Sequence, residues 1–342
     1  MIPADGAGAA DGAGRPDRPA APDVSVVIAT AGRRVGLLWA LDALAAQELP
    51  AGTTYEVNVV HGPERTPVLE AAREHPLVRS GIAAIIASEG LVASQKRNIA
   101  WRLGRAPLIA FTDDDCRPRP GWLAAFLAAH AEHPQGLLQG GAAIDPDQHE
   151  IAMRAPRPRL QRFAPPTAWA ELCSMAFPRG LLEAVDGLDE GYGSVGEDTD
   201  LAWRMRERGA PWVAVPDAVV DHAVETPGLR GWLRTSTRFG ESTRLKRRHP
   251  ELRGHYPLGV FWVPNHAWLL VAAAGAGWAL ARRDVRPAAL TLPYVAWHVT
   301  RYGRSWRGVA RGMTELPGDV LVDGARVAGF VVWSARERTV LL

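Results

Sequence analysis

Three consecutive carboxylates close an apolar run in Phe111-Thr112-Asp113-Asp114-Asp115-Cys116. Left unpaired, they repel one another and raise each other's pKa. A divalent cation relieves that repulsion, and hard oxygen ligands suit Mn2+ or Mg2+. The competing reading is a solvated acidic turn that caps the helix after Pro118. A second acidic cluster lies in Gly193-Ser194-Val195-Gly196-Glu197-Asp198-Thr199-Asp200-Leu201-Ala202-Trp203-Arg204. Glycines there lead into a helix whose first turn carries Glu197, Asp198 and Asp200. One such carboxylate can take a proton from a hydroxyl nucleophile. Helix capping with an Asp200–Arg204 pair at i,i+4 explains the same residues, and different carboxylates can do each job. His222, after a strand-like stretch, can complete a metal site as a neutral imidazole. Gly90-Leu91-Val92-Ala93-Ser94-Gln95-Lys96-Arg97-Asn98 places adjacent cations at a helix start, an arrangement that favours phosphate, although a solvated helix face would look alike. Together the four segments describe a site for a metal-bound diphosphate beside a carboxylate base.

These segments need a frame. The pattern predicts strands over 24–30, 55–60, 82–87 and 108–112, with helices over 35–47, 66–74 and 92–103 between them. Such alternation predicts an α/β fold, a mainly parallel sheet with helices on both faces. Ligands then bind beyond the carboxyl ends of the strands, just after Thr30, Val60 and Thr112. Further strand-like pieces cover 137–144, 170–177 and 212–215, and a helix covers 197–208. Residues 1–23, rich in Ala, Gly, Pro and Asp, read as a disordered tail. The chain has 342 residues, 47% hydrophobic and 22% charged, which excludes wholesale disorder and fibrous architectures. Its two cysteines, Cys116 and Cys173, exclude a disulfide framework and fit a reducing compartment.

The order of these motifs resembles family 2 glycosyltransferases of the GT-A fold, over residues 24–225. Val24-Ser25-Val26-Val27-Ile28-Ala29-Thr30 looks like the family's opening strand, and Asp113-Asp114-Asp115 looks like its DXD motif. Gly196-Glu197-Asp198-Thr199-Asp200-Leu201 is similar to its Gly-Glu-Asp-x-Asp-Leu signature. The resemblance implies a nucleotide-diphosphate sugar donor, a hydroxyl acceptor and inversion at the sugar. It assigns the base to Asp198, supported by Glu197 and Asp200. It assigns the metal to Asp115 and His222, and the donor to Thr30, Arg33, Arg97, Asn98, Asp113 and Asp114. The chain departs from the family at His61-Gly62-Pro63, where one or two aspartates usually hold the nucleotide base. Processive synthases carry a Gln-x-x-Arg-Trp motif that this sequence lacks, so transfer of a single sugar is expected. The acceptor follows as a lipid-linked or cell-envelope glycan. A small secondary metabolite is the alternative, and His61-Gly62-Pro63 supports a third reading, a non-catalytic binding domain.

Charge divides the chain. Residues 1–225 hold 21 basic and 30 acidic side chains, a balance of −9, whereas 226–342 hold 18 and 7, a balance of +11. A basic part of this kind suits phosphate groups or an anionic membrane. Nucleic acid is not expected, because the arginines belong to no recognised module. Within 226–342, a basic helix-like stretch over 230–248 precedes 25 residues, 257–281, without a charge, and a second apolar piece covers 288–300. The first is long enough to cross a bilayer. The pair reads either as a membrane-associated hairpin or as a buried helical pair against the catalytic part. The first reading places the protein in the cytoplasm, at the inner face of the cell membrane.

Overall fold

A computed structural model describes residues 20–32, 35–89, 92–193 and 195–342. Arg33 and Gly90, both singled out above, lie outside the described residues, as does most of the N-terminal tail. The first half alternates as expected: β1 (Val24–Thr30), α1 (Gly36–Ala45), β2 (Tyr55–His61), α2 (Pro67–Arg73), α3 (Pro76–Arg79), β3 (Ala83–Ala87), α4 (Ala93–Leu103) and β4 (Leu108–Asp113). Then come β5 (Cys116–Pro118), α5 (Trp122–Glu132), β6 (Leu137–Ile144), α6 (His149–Arg154), β7 (Met175–Pro178), α7 (Arg179–Ala184), α8 (Glu197–Glu207) and β8 (Trp212–His222).

The eight strands form one sheet in the order β3-β2-β1-β4-β7-β6-β8-β5. β1, β2, β3 and β4 pair parallel, and β6 pairs parallel with β8. β7 runs antiparallel to β4 and β6, and β5 antiparallel to β8. Only β5 and β7 therefore oppose the common direction. β7 reverses because the segment before it, 155–174, passes over the carboxyl end of the sheet and re-enters from there. β1 shows why the strands are central: its β-branched side chains are almost fully buried, as expected for a sheet covered on both faces. Leu37, Leu41, Trp122 and Phe126 of α1 and α5 pack on one face. Trp101, Leu182, Leu201 and Met205 of α4, α7 and α8 pack on the other.

The C-terminal part is helical: α9 (Gly228–Ser236), α10 (Thr243–Arg248), α11 (Pro264–Arg282), α12 (Leu292–Val299) and the 32-residue α13 (Trp306–Glu337). An aromatic cluster joins it to the sheet layer, with Tyr192 and Trp203 against Tyr256 and Phe330. The apolar run over 257–281 does not form one span. Its first seven residues make a 3-10 turn and an extended piece, with Leu258 at φ +51°, and the helix begins only at Pro264. Among the described residues no helix is long and apolar enough to cross a membrane. Nor are α11 and α12 a buried pair. Of α11, only Asn265, His266, Ala272 and Gly275 are buried.

Candidate active site

β4 delivers Asp113 beside Ala29 of β1, and the turn through Asp114 and Asp115 leads into β5. Cys116 sits in register with His222, the last residue of β8. That pairing brings His222 Nε2 to 3.6 Å from Asp115 Oδ1. His222 Nδ1 lies 2.8 Å from the Ala223 carbonyl and must donate to it, which leaves Nε2 facing the carboxylate. Donor atoms of Asp113, Asp115, Cys116 and His222 come within 4.8 Å of one another. Burial pushes the Cys116 thiol well up, and a hard cation prefers oxygen and imidazole donors to sulfur. The remaining set, two carboxylates and an imidazole, fits a hard or borderline divalent cation such as Mn2+.

Arg97 of α4 spans the site. One amino group lies 2.6 Å from Asp113 Oδ1 and the other 2.9 Å from Glu197 Oε1. Its guanidinium pKa is raised: burial opposes the charge, and Asp113 and Glu197 overcome it. Thr30 donates to Asp114 in a short hydrogen bond and accepts from Gly32 N at 2.7 Å. Lys96 holds the Thr30 carbonyl at 2.9 Å. Thr30 thus braces the acidic turn. Asn98 turns away from it. Its amide donates to the Leu188 carbonyl and Glu190, and its oxygen accepts from Trp101 Nε1 and Leu188 N, so its hydrogen-bonding capacity is spent within the chain.

The three carboxylates opening α8 go three ways. The helix starts at Gly196, with φ +101°, and a Cβ there would lie 2.9 Å from Leu245. Glu197 takes Arg97. Asp200 is fully buried and binds Arg204 at 2.7 Å, His249 at 3.0 Å and Arg248 at 3.2 Å. Asp198 is half-buried, and Thr199 N donates to it at 2.7 Å. Burial and the neighbouring Glu197 hold its carboxyl well above the usual carboxylate range, against the pull of Thr199 N–H and Arg97.

A cleft of about 470 Å³ opens over the acidic turn, lined by Arg97, Asp113, Asp115 and His222. Arg159, Gln161 and Glu225 complete its wall. Sequence reasoning had not singled these out. Arg159 pairs with Glu225 at 3.0 Å and lies 4.7 Å over the Trp232 ring of α9. The departing His61 sits buried at the end of β2, level with Thr30. Its Nδ1 donates to the Gly62 carbonyl at 2.5 Å, and its Nε2 faces Arg73 at 3.3 Å. A histidine–arginine pair stands where the family usually has carboxylate.

The model of the family described as "Glycosyltransferase like family 2" matches residues 21–249. The chain belongs to glycosyltransferase family 2. This family 2 chain is 30% identical over 190 residues to the pre-mycofactocin glycosyltransferases of two Mycobacterium tuberculosis strains. The match takes in 52% of this chain and 39% of each relative, so the chain spans about two-fifths of their length. Among solved structures, the mannosyltransferase PcManGT from Pyrobaculum calidifontis, in complex with GDP-Man and Mn2+, superposes with a TM-score of 0.53 at 18% identity. That superposition covers 95% of this family 2 chain and 89% of the mannosyltransferase, and it shows a shared GT-A fold.

Proposed function

We propose that the protein moves a single sugar from a nucleotide-diphosphate donor to a hydroxyl acceptor, with inversion at the anomeric carbon. The observation that carries this is the Asp113–Arg97–Glu197 bridge. It ties the acidic strand end to the helix bearing Asp198, which supports reading Asp198 as a base beside a bound diphosphate. Asp115 and His222 would hold Mn2+ or Mg2+, with Asp113 near the nucleotide side. A cation there supplies positive charge to the departing diphosphate. Asp198 accepts the proton of the acceptor hydroxyl as the acceptor oxygen forms the new bond to the anomeric carbon, and the bond from that carbon to the diphosphate oxygen breaks. Its raised pKa suits a base. Both amino groups of Arg97 are committed to carboxylates, so Arg97 acts by holding Asp113 and Glu197 in place.

The acceptor we infer is a lipid-linked or cell-envelope glycan, reached at the inner face of the cell membrane. The basic, apolar C-terminal helices support that reading. A second reading, an acceptor of the pre-mycofactocin kind, is favoured by the name of the 30%-identical relatives. The test is binding of UDP, GDP and dTDP with and without Mn2+, to wild type, Asp115→Ala and Asp198→Asn. One nucleotide should bind with the metal, bind poorly to Asp115→Ala, and bind normally to Asp198→Asn, which should transfer no sugar. Folded wild type that binds none of them would overturn the donor reading. Undiminished transfer by Asp198→Asn would overturn the base.

A further inference from the structure

The C-terminal helices are built inside out. Where α11, α12 and α13 meet, the interior is polar. Asn265 and the Tyr294 hydroxyl both donate to Asp323, at 2.6 and 3.0 Å. His298 lies between Asp319 and Asp323, at 3.4 and 3.2 Å. Arg301 binds Glu315 at 2.6 Å and Asp319 at 3.0 Å. Of these, Asn265, His298, Glu315, Asp319 and Asp323 are all below 9% exposed. The exterior is apolar: Trp278 is 56% exposed, Leu280 80%, Val285 84%, Leu292 62%, Trp297 51% and Trp306 76%. A helix surrounded by water turns its apolar stripe inward. Polar groups gathered inside, with tryptophan and leucine outside, is the arrangement that suits a hydrocarbon surrounding.

Charge says which one. Between residues 257 and 314 the chain carries seven arginines and one carboxylate, Asp284. Arg301 and Arg311 turn inward to Glu315. Arg282, Arg283, Arg286, Arg304 and Arg307 are exposed among the tryptophans and leucines. A second copy docked on this face about a two-fold axis would set arginine against arginine. Anionic headgroups would instead neutralise them, with the indole rings at headgroup depth.

We propose that the outer face of α11, the 283–291 turn and α12, with Trp306, inserts part-way into a bilayer rich in anionic lipid. Insertion is interfacial, with the helices in the membrane plane. The inference rests on the acceptor reading above for its purpose, and on the inverted polarity for its evidence.

Its test uses the full chain without donor: flotation with vesicles of phosphatidylcholine alone, and of phosphatidylcholine mixed with phosphatidylglycerol, at low and high salt. Wild type should float with the mixed vesicles, less so in high salt, and brominated lipid should quench its tryptophan fluorescence. The triple variant Arg282→Gln/Arg283→Gln/Arg286→Gln should partition about a hundredfold more weakly. Trp278→Ser/Trp297→Ser/Trp306→Ser should lose most of the quenching, and both variants should keep wild-type Mn2+-dependent nucleotide binding. Wild type that binds nucleotide but leaves the mixed vesicles would overturn this inference alone. Wild type that dimerises and does not float would overturn it in favour of a second copy. Flotation without nucleotide binding would uphold it while the donor reading fell.

Discussion

Asp200→Asn separates the structural carboxylate of α8 from the chemical one. Asp200 is fully buried, and its main partner, Arg204, has a side chain only 10% exposed. Removing one member of a buried pair strands the other and destabilises by about 3–5 kcal/mol. Two features point to the lower end. Arg204 keeps bonds to the carbonyls of Val185 and Gly187, at 2.6 and 2.7 Å, and Arg248 is 40% exposed, so its share is small. About 3 kcal/mol is therefore expected. With an unfolding entropy of about 2.1 cal/mol/K per residue over the chain, that lowers Tm by about 4 °C. pH gives a second readout. Burial opposes the Asp200 charge, but His249 and the arginines outweigh it, so its carboxyl lies below the ordinary value. A depressed pKa stabilises fully above the unfolded value, about 3.9, and this is lost as pH falls through the folded one. In matched thermal scans the gap between wild type and Asp200→Asn should stay constant from about pH 7 to 5 and close below about pH 4. A gap under about 1 °C at neutral pH, or one that widens on acidification, would refute the reasoning.

Two other outcomes test the site directly. A Cβ on Gly36 would lie 2.8 Å from the Asp114 carbonyl oxygen, where ordinary contact begins at 3.4 Å, so Gly36→Ala must push the acidic turn back by about 0.6 Å. Calorimetry should show metal-dependent nucleotide binding weakened about tenfold or more with little change in Tm; unchanged affinity would mean that the turn tolerates the shift. Because Asp198 must be deprotonated to act and its carboxyl is held high, kcat/KM should fall with decreasing pH well above the ordinary carboxylate range. Glu197→Gln removes the like charge and should move that limb to lower pH, and a limb that stays put would deny the coupling.

Some of this was legible from residue types alone. An apolar run that breaks at a carboxylate marked the end of β4, and the i,i+4 spacing marked the Asp200–Arg204 pair, whereas the strand expected over 212–215 runs on to His222. Side-chain direction was not legible. Lys96, Arg97 and Asn98 are neighbours in sequence, yet one grips the Thr30 carbonyl, one bridges two carboxylates and one serves the far loop. Arg159 lies in a stretch without periodicity, and only its backbone pairing with Glu225 puts it at the cleft. α13 escaped because the first part of its buried stripe, Gly308, Gly312, Glu315, Gly318 and Asp319, holds no apolar residue, with Pro317 beside it; Val322, Val327 and Phe330 follow only in its second half. A reading that looks for hydrophobic periodicity passes over a helix whose inner face opens with glycine and carboxylate.

Arg157, two residues before the cleft arginine, binds Asp319 of α13 at 2.8 Å across 162 positions of sequence. On a ribosome adding about 5–20 residues per second, that partner arrives roughly 8–30 s after Arg157 itself. The strands and the acidic turn can assemble in that interval, and Arg159 can pair with Glu225, but Arg157 beside it must wait for Asp319. Nascent chains stalled before α13 should therefore hold a formed acidic turn beneath a wall not yet tied down at Arg157.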